Sequence, residues 1–293
     1  MAQFRPLLSA KAETEEDLEK LRYPLLVSPK IDGIRCVIHP ELGPVTRSLK
    51  PIPNEYTRRL LTNSMLPGAD GELVVGDHVG ENAFNMTTRG IMSHGGEPDF
   101  TFLIFDNYLL QDPFTERLRS IETFCIPNYM KRVTHFKVNT AQELLAYEEV
   151  FIKDGYEGIM IRDPNGKYKF NRSTFKEQIL IKFKRTEEDE ARIIGFEEKM
   201  HNANEAQKNA LGYTERSDHQ SGWVPAGTLG ALIVENPKWG TFKIGSGFDD
   251  AFRSRIWASR DRYKGKLVTF KFQRVGIQEK PRFPIFKGFR EDL

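Results

Sequence analysis

The stretch Val27 to Ile38, VSPKIDGIRCVI, places Lys30, Asp32, Gly33 and Arg35 in a K-x-D-G-x-R frame between two apolar, β-branched runs. A strand-turn-strand corner accounts for Asp32 and Gly33, with glycine supplying a positive φ and aspartate forming the turn. It accounts for neither Lys30 nor Arg35. A lysine held in such a frame has nucleophilic attack open to it, and that needs the unprotonated amine. At an ordinary pKa of about 10.4, fewer than roughly one lysine in a thousand is unprotonated at pH 7. Lowering the pKa by about three corresponds to about 4 kcal/mol, which takes several nearby charges or a metal. QILIKFK, Gln178 to Lys184, can supply cations: strand alternation sends Ile181 and Phe183 to one face and Lys182 and Lys184 to the other.

The elements that would hold these residues are short and mixed. Strands are expected at Glu72 to Val75, Phe100 to Asp106, Gly158 to Arg162 and Gln178 to Lys184. NEYTRRLLTNSML carries Tyr56, Leu60, Leu61 and Met65 on one helical stripe, and a second helix opens at Thr140 and Glu143 in capping-box spacing. This is an α+β body. After the acidic run Glu187 to Glu190 the texture changes to strand-like pieces between turns, the rhythm of a small β-barrel. The boundary is accordingly expected at 188/189. Residues 200–228 are polar without regular apolar spacing and are expected to be a long functional loop.

At 293 residues the chain is long enough for one large or two moderate domains. No run approaches a membrane span, and the N-terminal stretch turns acidic before a signal-peptide core forms, so a soluble, cytoplasmic protein is expected. Cys36 and Cys125, far apart and outside any C-x-x-C pair, indicate a reducing compartment without structural zinc. The net charge of +2 conceals basic clusters, Arg162 to Arg185 and Arg253 to Arg274, interleaved with Tyr168, Phe170, Phe175 and Phe183. Such clusters suit a polyanionic partner.

Further pieces follow K-x-D-G-x-R in order: DGE at Asp70 to Glu72, IFDN at Ile104 to Asn107, YEGIMIR at Tyr156 to Arg162, LIKFK at Leu180 to Lys184 and RFPIFKGFRED at Arg282 to Asp292. The series resembles the covalent nucleotidyltransferases, and most closely the minimal ATP-dependent DNA ligases of viruses and phages, over nearly the whole chain. That resemblance implies a nucleotidyltransferase (adenylation) domain at 1–188 and an OB-fold domain at 189–293, with a DNA-clamping loop near 200–228. It implies a monomer that seals nicks in duplex DNA using ATP and Mg2+ or Mn2+.

The resemblance also assigns residues. Lys30 would attack the α-phosphate and carry AMP, assisted by Asp32. Ser28, Arg35, Glu72 and Phe105 would line the nucleotide site, with Glu72 on the ribose and Phe105 on the adenine. Glu157 would help hold the metal, and Lys182 and Lys184 would grip the α-phosphate. Arg47, Arg172 and Lys176 would meet the 5′-phosphate or DNA, where a guanidinium fork suits a phosphate better than an ammonium. Arg282, Arg290 and Asp292 would form the OB-domain motif. That motif lacks the basic residue that usually follows the aspartate, so orientation of pyrophosphate carries over least directly.

Taken singly, Glu72 reads as a strand-end carboxylate, Phe105 as a core aromatic, and Lys182 and Lys184 as a solvated strand face. The ordered set reverses those readings. Two alternatives to nick sealing remain: a GTP-dependent RNA capping guanylyltransferase, which shares the lysine frame, and a non-catalytic OB-type nucleic-acid-binding protein, in which Lys30 would be a phosphate contact.

Overall fold

VSPKIDGIRCVI joins two sheets and is not a hairpin. In the computed structural model, which describes residues 4–77, 79, 83–208, 214–217, 219–273 and 280–290, the chain divides into compact units Met1–Arg185 and Thr186–Leu293. The first unit holds two five-stranded sheets. One contains β1 (Ala10–Ala12), β2 (Leu25–Pro29), β8 (Phe136–Val138), β9 (Ile159–Arg162) and β10 (Leu180–Phe183), in the order β1-β10-β9-β2-β8. The other contains β3 (Ile34–His39), β4 (Gly43–Thr46), β5 (Ala69–Val75), β6 (Phe100–Asn107) and β7 (Met130–Arg132), in the order β4-β3-β5-β6-β7. Lys30 to Gly33 is the crossing between β2 and β3.

Each sheet buries one face under helices. Val27, Ile159, Ile161, Ile181 and Phe183 pack with Leu144 and Phe151 of the helix α5 (Ala141–Lys153). Cys36, Leu73, Phe102 and Ile104 pack with Leu61, Ile91 and Ile121, which lie on α2 (Glu55–Asn63), α3 (Ala83–Ile91) and α4 (Phe114–Glu122). Each fully buried side chain of this size contributes about 1.5–3 kcal/mol relative to an exposed one. The Thr140 hydroxyl caps α5 by accepting from Glu143 N at 3.1 Å, while the Glu143 carboxylate accepts from Asn139 N at 2.7 Å, one residue before the usual partner. Met65 departs from the expected stripe: α2 ends at Asn63, and Met65 is 85% exposed.

Gly33 is needed for a different reason from the expected one. It is absent from the glycines with positive φ, but a Cβ there would lie 2.2 Å from the Leu73 carbonyl oxygen. The crossing passes so close to β5 that only a hydrogen fits.

The second unit contains β11 (Glu187–Asn202), β12 (Ala206–Lys208), β13 (Thr214–Arg216), β14 (Trp223–Asn236), β15 (Gly240–Ile244), α6 (Asp250–Ala258), β16 (Leu267–Gln273) and β17 (Arg282–Phe289). Five strands form one sheet in the order β15-β14-β11-β16-β17. Its two edges approach through a bridge between Ser246 and Ile285, curling the sheet around Ile193, Leu232, Val234, Phe242 and Phe270, the arrangement of an OB-fold. The acidic run Glu187 to Glu190 is the first part of β11, paired with Phe272 to Thr269.

Residues 200–228 are not a plain loop. β11 and β14 continue past the core as a two-stranded ribbon paired through His201–Val224 and Asn202–Trp223, and β12 and β13 pair beyond it. Trp223 to Gly227 are exposed on successive positions. With neither face buried, this part of β14 carries no apolar alternation, which is why its sequence did not read as a strand. Among the described residues, no helix is long and apolar enough to cross a membrane.

Candidate active site

Lys30 extends the β2–β9 ladder by one step. Its N–H donates to Gly158 O at 2.8 Å, and Glu157 N–H donates to Lys30 O at 3.2 Å. Gly158 makes this closeness possible: its φ is +152°, and a Cβ would lie 2.4 Å from Phe183 O. The Lys30 and Glu157 side chains are therefore neighbours by backbone register, and their ammonium and carboxylate are in direct contact. The second Glu157 oxygen accepts from Lys184 Nζ at 2.7 Å. The Glu157 side chain is only 5% exposed. Burial works to raise its carboxyl, but Lys30 and Lys184 outweigh burial and hold it at about 2.

β10 alternates as expected. Ile181 and Phe183 enter the core, Lys182 lines a cleft, and Lys184 reaches Glu157. The Lys182 ammonium is pushed below its ordinary range, first by burial and then by the Lys30 and Lys184 cations. Two lysines thus share one carboxylate with Lys182 close by, a concentration of positive charge suited to a phosphate.

The second sheet contributes the rest of this cleft. Arg35 on β3 and Glu72 on β5 are cross-strand partners. Asp70, two residues before Glu72, holds Arg35 bidentately at 2.5 and 2.6 Å and accepts from Tyr168 Oη at 2.6 Å. Arg35 Cζ lies 4.7 Å from the centre of the Phe105 ring. Burial pushes the Glu72 carboxyl up to about 7, against the opposing pull of Arg35 and Lys30, with Asp70 and Asp32 adding to the rise. Ser28, Lys30, Arg35, Glu72, Phe105 and Lys182 all line the cleft, and the exposed Arg47 and Arg172 line it too. Arg172 Nη1 is steadied by Ser9 O at 2.7 Å.

Other sequence-predicted residues are not among those that line the cleft. Lys176 is exposed and its backbone carbonyl accepts from Arg22, while Asp32 is half-buried in the crossing. Arg282 opens β17 with its guanidinium 4.9 Å from the Phe283 ring. Arg290 follows β17 and contacts the Glu190 carboxylate. Both are in the second unit, and Asp292 lies outside the described residues.

Residues the sequence did not single out complete the support. Asp106 accepts from Arg117 Nε and Nη2 at 2.7 and 3.1 Å and from Arg162 Nη1 at 2.7 Å. Arg162 lines the cleft with its Cζ 5.7 Å from the Phe105 ring. Asp70, Asp106 and Arg162 fall inside DGE, IFDN and YEGIMIR, so the motifs were the available signal. Arg117 had none.

No match was found among curated proteins. Residues 6–184 match the ATP dependent DNA ligase domain, and residues 224–290 match the DNA ligase OB-like domain. The chain is similar to the solved Chlorella virus DNA ligase-adenylate, with 31% identity, a TM-score of 0.55, and coverage of 99% of this chain and 100% of that one. It is similar to a solved Lig E DNA ligase, with 26% identity, a TM-score of 0.68, and coverage of 97% and 98%. These likenesses disfavour the capping and non-catalytic alternatives. An adenylation domain whose K-x-D-G-x-R motif lines a basic cleft, followed by an OB-fold, identifies the chain as a member of the ATP-dependent DNA ligases.

Proposed function

We propose that the chain seals 3′-hydroxyl/5′-phosphate nicks in duplex DNA and that Lys30 is the amine that carries AMP. The observation behind this is the Lys30–Glu157–Lys184 arrangement beside Lys182, in a cleft that also presents Arg35, Glu72 and Phe105. Lys30 Nζ attacks the α-phosphorus of ATP. The N–P bond forms as the bond to pyrophosphate breaks, and the amine proton is lost to solvent. Lys182 and Lys184 stabilise the charge on the α-phosphate in the transition state. Asp32 assists from the crossing. The nick 5′-phosphate then takes AMP from Lys30, breaking the N–P bond, and the 3′-hydroxyl attacks that phosphate and displaces AMP. Arg47 and Arg172 receive the 5′-phosphate, and Lys176 lies on the DNA side.

Ser28 borders the nucleotide, Arg35 and Glu72 hold its ribose, and Phe105 stacks on its base. Glu157 is an ionised carboxylate in contact with Lys30 of the cleft, and the described residues contain no group of three or more potential metal ligands. Glu157 would be the residue of this chain that helps hold a Mg2+ or Mn2+ ion, a hard cation that prefers oxygen ligands. When bound, it neutralises phosphate charge. In the second unit Arg282, Arg290 and Asp292 form the motif that orients pyrophosphate, for which Arg290 must leave Glu190. The ribbon of β11 and β14 grips the duplex. The chain acts as a monomer, and the free Cys36 and Cys125 suit a reducing cell interior.

The test is covalent labelling. Full-length protein with magnesium and α-labelled ATP becomes labelled, a chase with nicked duplex discharges the label, and Lys30→Ala gives none. Label from GTP alone, or label on the Lys30→Ala variant, refutes the proposal.

A further inference from the structure

None of these roles uses His135, which lies between β7 and β8 and lines the same cleft. Its position is tied to that of Phe105: β6 and β7 pair in parallel, and Val133 N–H donates to Ile104 O at 2.8 Å. Two contacts fix the ring. Nδ1 lies 2.9 Å from Val133 O, and Phe114 meets the imidazole edge-on at 5.1 Å. Phe114 in turn stacks under Arg162, whose Cζ is 4.4 Å from its ring centre, so His135, Phe114, Arg162 and Phe105 form one contiguous cluster.

A carbonyl only accepts, so the Val133 contact requires the proton on Nδ1. Burial, followed by the Arg162 cation, pushes the imidazole down to about 4, so the ring is neutral at the pH of the reaction. Nε2 is then a hydrogen-bond acceptor, and no described residue donates to it.

We propose that His135 selects the base, its Nε2 accepting a hydrogen bond from the exocyclic 6-amino group of an adenine stacked on Phe105. This rests on the reading of Phe105 as the base platform. Adenine places a donor at C6. Guanine places a carbonyl oxygen there, whose lone pairs would oppose those of Nε2 with no proton between them. A polar cleft group left unpaired in this way is the basis of strong discrimination between otherwise similar substrates.

The experiment compares the specificity for covalent labelling of full-length protein by ATP, GTP and purine riboside triphosphate, which lacks the 6-amino group. Native protein is expected to favour ATP over purine riboside triphosphate by about tenfold, the weight of one net hydrogen bond. His135→Phe keeps an aromatic edge for Phe114 and should bring the ratio close to one, mainly through the ATP value. His135→Gln restores an acceptor and should recover the preference. Because the ratio is taken within one preparation, partial misfolding of a variant cancels. A native ratio below about threefold, or an unchanged ratio in His135→Phe, overturns the proposal while leaving Lys30 as the nucleophile. Absence of label from ATP in the native protein overturns both.

Discussion

Asp106→Asn perturbs the cleft from behind, and its cost can be worked from the structure. Asp106 and Arg117 are 0% exposed at the side chain, and Arg162 is 4% exposed. Asn retains one acceptor oxygen but turns an NH2 toward a guanidinium, losing at least one charge-assisted bond at about 1.5–3 kcal/mol. It also leaves two buried guanidiniums without a counter-charge, and breaking a buried pair in this way costs about 3–5 kcal/mol. The expected loss at pH 7 is therefore about 3–5 kcal/mol, or a fall in Tm on the order of 10 °C. In the folded protein burial works to raise the Asp106 carboxyl, but Arg162 and Arg117 outweigh burial and hold it below its ordinary 3.8. Its stabilisation is thus complete above the ordinary value and is lost as pH falls through the folded one, so the gap between native and variant must narrow below pH ~4. Urea denaturation followed by far-UV circular dichroism reads the effect, since Trp223, Trp239 and Trp257 all lie in the second unit. Adding Arg162→Met should recover part of the loss: it leaves only Arg117, whose Nη1 already donates to Asp112 O and Gly166 O at 2.6 and 2.9 Å. A loss below ~1 kcal/mol, a gap independent of pH, or a double variant weaker than the single one would refute the reasoning.

Gly33→Ala separates two accounts of the glycine. With no positive φ at Gly33, backbone conformation alone expects a gain of about 0.4–1 kcal/mol from a less flexible unfolded chain, whereas the approach to Leu73 O predicts a loss of about 1–3 kcal/mol; the sign of the shift in urea midpoint decides. Replacing residues 203–222 with Asn-Gly joins the paired Asn202 and Trp223 by a two-residue turn. The shortened protein should be labelled by ATP as before but bind nicked duplex about tenfold more weakly in low salt, and unchanged affinity in a titration would exclude the segment beyond Asn202 and Trp223 as a DNA contact.

What could be read from the sequence is what chain continuity fixes. Lys30 and Arg35 stand five residues apart wherever the chain goes, and the two-residue period of β10 separates Lys182 from Phe183 by geometry that needs no tertiary knowledge. That Lys30 and Glu157 belong to one site was legible only through an ordered family pattern, and their direct pairing was not legible at all, because its cause is the β2–β9 register, and register is not written in either segment alone. Asp70 meets Arg35 only once β5 is laid beside β3, and Asp106 meets Arg117 and Arg162 only once α4 and β9 are brought to β6: each is a common residue type at an unremarkable position until then. Gly33 and the ribbon failed in a different way, since a local rule named a plausible cause and the actual one was non-local. The buried charges explain why the motifs carry more residues than the chemistry uses. Lys30, Glu157 and Lys184 make one ion-paired cluster, and Asp70 and Asp106 fix Arg35 and Arg162 against Phe105; on the proposed reading, little of this wall needs to be ordered when nucleotide binds. On the proposed reading Asp106 meets no substrate, yet it holds in place the arginine that lies against Phe105.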